Sequence, residues 1–326
     1  QTVAAEKKAR GKGGYLMYTL ENDRGMKVTL VETGGAIQSI LVPDREGKLG
    51  DVVLGCDTEA GYPAPGCLGA MVGRFANRIS GAAFPLNGRT YTVTRNEGEN
   101  CLHGGKGYHM RRWNAEYIDG GVLLSLDSPD GDEGFPGNLK VSVEVRLSRE
   151  NALTLHYRAE TDADTILNLT NHSYFNLAGT GTILDQELML ASDAYLEVDR
   201  HLIPTGNMID VEGTDFDFRI RRPIRSGKYD HCFLLHSGDG IKAEAWDPVS
   251  GRGLKMYTDQ PAVQLYCGMG LRGVKGKAGT EYPAFGGFCL ETQHYPDSPN
   301  HPEFPSTVLK AGEKWESVTI YKFFAE

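Results

Sequence analysis

Leu139–Tyr157 reads LKVSVEVRLSRENALTLHY. Val141, Val143, Val145 and Leu147 fall on one side of an extended chain, with Glu144 and Arg146 on the other. After a short turn at Glu150–Asn151 the alternation resumes with Leu153, Leu155 and Tyr157. Successive strand side chains project to opposite faces, so the stretch predicts an antiparallel hairpin with one apolar face.

The same period of two recurs at Lys27–Val31, Ala36–Val42, Tyr91–Thr94, Val122–Leu126, Ile166–Asn171, Ile241–Trp246, Pro261–Tyr266 and Trp315–Phe324. Turn dipeptides separate these runs: Asn-Gly at 87–88, Asp-Gly at 119–120 and 130–131, Pro-Gly at 65–66 and 136–137. The chain contains 41 glycines and no convincing amphipathic helical segment of more than two turns, and strands that never alternate with helices argue against a doubly wound parallel sheet. The expected fold is all-β: one large antiparallel β-sandwich over residues 1–326. Gln1–Gly14 is expected to be a loosely held terminus, and Arg272–Thr280 one long surface loop.

A net charge of −9 with no basic stripe argues against nucleic acid as a partner. Nor does any apolar run reach the roughly 18–20 residues that span a bilayer, so no membrane partner is expected. The six cysteines, Cys56, Cys67, Cys101, Cys232, Cys267 and Cys289, form no CxxC pair and read as buried free thiols. Reduced thiols fit a cytoplasmic protein; a start at Gln1 also fits a periplasmic or secreted one from which a signal has been removed.

Two segments concentrate groups that can move protons. In Thr165–Leu177, TILNLTNHSYFNL, an extended chain places Asn168, Thr170, His172, Tyr174 and Asn176 on one face and Leu167, Leu169, Phe175 and Leu177 on the other. A structural histidine and a catalytic one both fit His172 here. In Phe288–His294, FCLETQH, Cys289, Glu291 and Gln293 share a face opposite Phe288 and Leu290. A carboxylate in such an apolar strand is expected to have a raised pKa, which suits a general base as well as a paired structural acid.

Polar groups gather elsewhere as well. GRFANRI at 73–79 brings Arg74, Asn77 and Arg78 together, and LHGG at 102–105 sets His103 on a bend whose glycines let backbone approach a ligand. YDHCFL at 229–234 sets Asp230 and His231 before an apolar run, and Gln264 faces the same way as Tyr266. Cofactor motifs fail. Gly179 and Gly181 begin a GxGxxG that Leu184 ends; Ala278 stands where a P-loop needs Ser or Thr; Asp130 and Asp132 begin a calcium loop without its remaining ligands. No HExxH or GxSxG is present, so neither metal nor cofactor is expected. What remains suits proton transfer on a polyhydroxylated small molecule.

Seven segments together resemble the aldose 1-epimerase (galactose mutarotase) family: GRFANRI at 73–79, LHGG at 102–105, SPDGDEGFPGNL at 128–139, NLTNHSYFNL at 168–177, YDHCF at 229–233, QPAVQLYCG at 260–268 and CLETQHYPDSPN at 289–300. They keep the family's order and spacing. The resemblance implies a supersandwich of the galactose-mutarotase type with an open concave sugar cleft. It implies Glu291 as general base and His172 as general acid, with Arg78, Asn77, His103, Asp230 and Gln264 contacting the sugar. Its implied activity is interconversion of α and β anomers of free aldohexoses such as galactose and glucose, on a monosaccharide partner, by a monomer or homodimer. The segment GKGYHMRRW at 105–113 departs from the family with His109, Arg111 and Arg112 at the cleft rim. These arginines, with Lys275, keep a hexose-6-phosphate 1-epimerase as the alternative; a non-catalytic carbohydrate-binding module is the other.

Overall fold

A computed structural model describes residues 4–8 and 16–326. The expected terminus Gln1–Gly14 lies outside the described residues except for Ala4–Lys8, whose backbone pairs with Met17–Glu21.

The hairpin of Leu139–Leu147 and Ala152–Thr161 lies inside a nine-stranded antiparallel sheet. Its order is Asn114–Ile118, Gly121–Ser128, the two hairpin strands, Lys314–Ala325, Arg252–Thr258, Ala243–Trp246, Glu187–Leu190 and Arg222–Pro223. A six-stranded sheet runs Tyr174–Phe175, Phe288–Gln293, Ala262–Tyr266, Asp230–Leu235, Ser192–Val198 and Pro204–Asp210. A third sheet holds the N-terminal strands from Ala4–Lys8 to Leu49–Asp51. The expected β-sandwich is thus realised. Among the described residues no helix is long and apolar enough to cross a membrane.

The alternation explains how the two large sheets meet. Val141, Val143, Val145, Leu153 and Leu155 join one apolar cluster with Phe233, Val263, Leu265, Phe288 and Leu290 of the six-stranded sheet. Each fully buried side chain of this size contributes roughly 1.5–3 kcal/mol, so the shared face sets the register. Tyr321 Oη donates to the Leu290 carbonyl at 3.0 Å, and the Thr292 and Thr319 hydroxyls lie 2.7 Å apart, tying sheet to sheet. With Phe288, Leu290 and Thr292 committed to this layer, Cys289, Glu291 and Gln293 must face the other side.

Two expectations need correction. Thr165–Leu177 is not one continuous strand. It makes three separate two-residue pairings, Thr165–Ile166 with Val308–Leu309, Thr170–Asn171 with Met71–Val72, and Tyr174–Phe175 with Phe288–Cys289. The Asn171 side chain causes one interruption: Oδ1 accepts from the Ser173 N–H at 3.0 Å and Nδ2 donates to the Gly69 carbonyl at 2.8 Å. Such local bonds compete with a ladder. Its polar residues are buried as well. Asn168 bonds the His294 backbone, Asn176 bonds the Gly286 carbonyl and the Gln186 amide, and Thr170 is fully buried, so of this face only His172 and Tyr174 border a cleft. Nor is Arg272–Thr280 a plain loop: Val274–Lys275 pairs with Glu281–Tyr282.

Candidate active site

Glu291, the centre of the strand Phe288–Gln293, lies opposite Gln264 in the neighbouring strand, and Gln264 opposite Cys232, two residues beyond Asp230. His172 arrives from the interrupted Thr165–Leu177 segment. Its Nε2 lies 3.6 Å from Glu291 Oε1. Around this pair a cleft of about 330 Å³ is lined by Gly66, Cys67, Asn77, Arg78, Leu102, His103, His172, Tyr174, Asp230, Tyr266 and Glu291. Its volume is at the small end of ligand pockets, roughly 300–1,000 Å³.

Six of the seven residues expected from sequence therefore line one cleft. The seventh, Gln264, stands behind it and donates from Nε2 to Asp230 Oδ1 at 2.8 Å. Arg78 is held by Glu97, with Nε 2.6 Å from Oε2 and Nη2 2.8 Å from Oε1, a two-pronged contact that aims the guanidinium. Asn77 and His103 both adopt left-handed backbone, φ 65° and 53°. Asn77 Oδ1 accepts the Arg78 N–H at 2.9 Å, one way in which Asn tolerates that conformation.

Arg74 does not join them. It is 2% exposed and donates to the carbonyls of Ser128, Pro136 and Gly137, so the SPDGDEGFPGNL segment is folded around its guanidinium. The LHGG glycines also serve packing rather than ligand approach. A Cβ on Gly104 would stand 2.5 Å from the Gly73 carbonyl oxygen. Arg111 pairs with Asp132 and Arg112 with Glu32, so neither presents a free charge to the cleft.

Sequence reasoning missed Cys67, Gly66 and Glu97. The Pro-Gly at 65–66 signalled only a turn, yet it makes a wall: Tyr174 Oη donates to the Gly66 carbonyl at 2.8 Å, and Gly66 has φ 70°. Tyr266 and Cys289 carried a signal, since each shares a strand face with an expected site residue.

Burial dominates the electrostatics. It raises the Glu291 carboxyl well above the ordinary range, helped by the Asp230 charge and opposed by Arg78. Burial also lowers His172 to about 4 and His103 well below its usual value. Glu291 Oε2 is buried with no hydrogen-bond partner, which adds to the cost of ionising this carboxyl.

Among the described residues, one His/Cys/Asp/Glu group has ligand atoms close enough for a metal: His103, His172 and Glu291, within 4.8 Å of one another. A ligating imidazole needs a free lone pair. The Asn77 N–H donates to His103 Nδ1 at 3.1 Å, so the neutral ring carries its proton on Nε2 and offers no lone pair to an ion. The group does not fit a metal.

A carboxyl and an imidazole facing each other in a small cleft of a β-sandwich are groups able to exchange protons with a bound small molecule. The aldose 1-epimerase family model matches residues 16–322. Galactose mutarotase of Bos taurus is 44% identical over 96% of this chain and 95% of its own. Aldose 1-epimerase of Escherichia coli is 40% identical over 96% of each chain. The solved structure of an aldose epimerase homologue from C. elegans superposes with a TM-score of 0.91 at 31% identity, covering 96% of this chain and 99% of that one. The chain belongs to the aldose 1-epimerase family, and is a carbohydrate epimerase.

Proposed function

We propose that the cleft opens and recloses the ring of a free aldose such as galactose or glucose, exchanging its α and β anomers, with Glu291 as base and His172 as acid. Ring opening breaks the bond between C1 and the ring oxygen. The Glu291 carboxylate takes the proton of the C1 hydroxyl, and that electron pair becomes the second C1–O1 bond. The ring oxygen leaves with the electrons of the broken bond and takes the proton on His172 Nε2. Rotation about C1–C2 turns the other carbonyl face, and closure runs both transfers backward.

The carboxylate and imidazolium become carboxylic acid and neutral imidazole during ring opening, so no proton is gained or lost overall. Burial favours these neutral forms, and thus pulls both transfers toward the open chain. His103, Arg78, Asn77 and Asp230 hold the remaining hydroxyls while C1 turns, with Gln264 bracing Asp230.

The observation that carries this reading is the 3.6 Å approach of His172 Nε2 to Glu291 Oε1 inside the cleft. Its support from relatives is the galactose mutarotase similarity over nearly the whole chain. The test is polarimetry on freshly dissolved α-D-galactose and α-D-glucose. Wild type is expected to speed the decay of rotation and Glu291→Gln to leave it at the buffer rate; a Glu291→Gln protein as fast as wild type overturns the assignment.

A further inference from the structure

Glu291 and Cys289 sit two residues apart on the same face of one strand, and each addresses a different nitrogen of the same ring. Glu291 Oε1 lies 3.6 Å from His172 Nε2; Cys289 Sγ lies 3.4 Å from His172 Nδ1. The ring itself is held by packing, stacked on Tyr174 at 4.9 Å with edge contacts to His103 and Tyr266 at 5.3 and 6.4 Å. Packing fixes where the ring lies. Only a hydrogen-bond partner can fix which nitrogen keeps a proton.

Resting on the assignment of His172 as the acid, we infer that Cys289 is its positioning residue: the thiol sulfur accepts the Nδ1–H, so that Nε2 alone exchanges a proton with the sugar. Through a full turnover His172 passes from imidazolium to neutral imidazole and back. If Nε2 is the nitrogen that gives and takes, Nδ1 stays protonated throughout and needs an acceptor that never withdraws.

The thiol suits that task. Cys289 is fully buried and burial keeps it protonated, so the acceptor is neutral. A carboxylate at the same place would stabilise the imidazolium and weaken it as an acid. A sulfur acceptor is weak: it orients the ring without spending its acidity. The groups facing His172 are Glu291, His103, His109, Tyr174, Tyr266 and Cys289, together with the residue's own backbone, which also hydrogen-bonds the ring. His103 shows the opposite arrangement in the same cleft. Its Nδ1 accepts the Asn77 N–H, so its proton faces the ligand from Nε2 as a fixed donor. The two histidines therefore hold opposite tautomers, one to exchange a proton and one to donate a hydrogen bond.

Nitrogen NMR on the full chain, labelled at histidine, tests this directly, with His172→Gln identifying the His172 signals. Wild type at neutral pH is expected to show His172 protonated at Nδ1 and His103 at Nε2. Finding the neutral His172 proton on Nε2 overturns the inference. Cys289→Ala is expected to lower kcat roughly tenfold with KM for galactose unchanged, and Cys289→Ser, whose hydroxyl also accepts, to restore most of it. Wild-type kcat in Cys289→Ala overturns the inference too, and if that variant does not fold the wild-type tautomer decides alone. Glu291→Gln separates this failure from that of the assigned function. An inactive Glu291→Gln beside a fully active Cys289→Ala leaves the function standing and removes Cys289 alone.

Discussion

Glu291 Oε1 and His172 Nε2 face each other at 3.6 Å, with side chains only 2% and 6% exposed, so their protonation is one property of the pair. The singly protonated pair is the working state, whichever partner holds the proton. A second proton enters on the acid side, governed by the imidazole that burial lowers to about 4. The last proton leaves on the alkaline side, governed by a carboxyl raised well above the usual range. The expected kcat/KM profile is bell-shaped, with its acid limb near pH 4 and its alkaline limb well above the ordinary carboxylate range. Stopped-flow polarimetry with galactose across pH checks it, and a rate flat from pH 4 to 9 removes the pair from the chemistry.

Glu291→Gln should cost activity and add stability. A carboxyl whose pKa is raised on folding binds its proton more tightly in the native state than in the unfolded chain. The penalty is absent below the unfolded value and grows as pH rises through the window up to the folded one. The amide keeps the volume and cannot ionise. Turnover is expected to fall by at least about 10²-fold. Tm should rise, at about 1–2 °C for each kcal/mol recovered, with the gap between variant and wild type wider at pH 8 than at pH 5. A lower Tm for the variant at pH 8 would mean that Glu291 is a structural acid.

The sandwich could be read from period-two alternation because both large sheets keep one face in the core, and the 139–157 hairpin forms where that alternation is cleanest. The same argument placed Glu291 correctly, since a strand with Phe288 and Leu290 inside has nowhere else to send residue 291. It misread 165–177. Pattern alone does not reveal that the Asn171 side chain will take backbone partners, or that Asn168 and Asn176 will be spent inside the protein. Arg74 misled for a related reason: backbone carbonyls take up both terminal nitrogens of its buried guanidinium and leave only Nε unpartnered, and they come from residues 54 to 63 positions away. Glu97 and Cys67 gave no sequence signal, because their roles arise only when distant turns meet at the cleft.

Asp230 and Gln264 should act as one unit on substrate affinity. Asp230 reaches the cleft; Gln264 reaches Asp230, at 2.8 Å. A hydrogen bond to a charged group contributes about 1.5–3 kcal/mol, so Asp230→Ala is expected to raise KM for galactose roughly tenfold or more. Gln264→Ala should give a smaller rise. The double variant should be no worse than Asp230→Ala alone, since the brace has nothing left to hold. Additive losses would show that Gln264 contacts the sugar independently.

Glucose 6-phosphate should be a poor substrate. A phosphate site needs cations that are free to meet it. Among the residues lining the cleft the one arginine or lysine is Arg78, and it is already held on both prongs by Glu97. Arg111 and Arg112 are engaged by Asp132 and Glu32, and Lys277 by Asp51 at 2.7 Å. Lys275 and Arg272 lie in a separate groove that Pro65 also lines, beside the Gly66–Cys67 wall. Moving a phosphate dianion from water toward Glu291 and Asp230 also adds repulsion that none of these cations offsets. Measured side by side, kcat/KM for the phosphate is expected to fall at least about tenfold below that for glucose, a difference of about 1.4 kcal/mol. A preference for the phosphate that disappears in Arg272→Ala or Lys275→Ala would assign the neighbouring groove to the substrate and overturn the free-aldose reading.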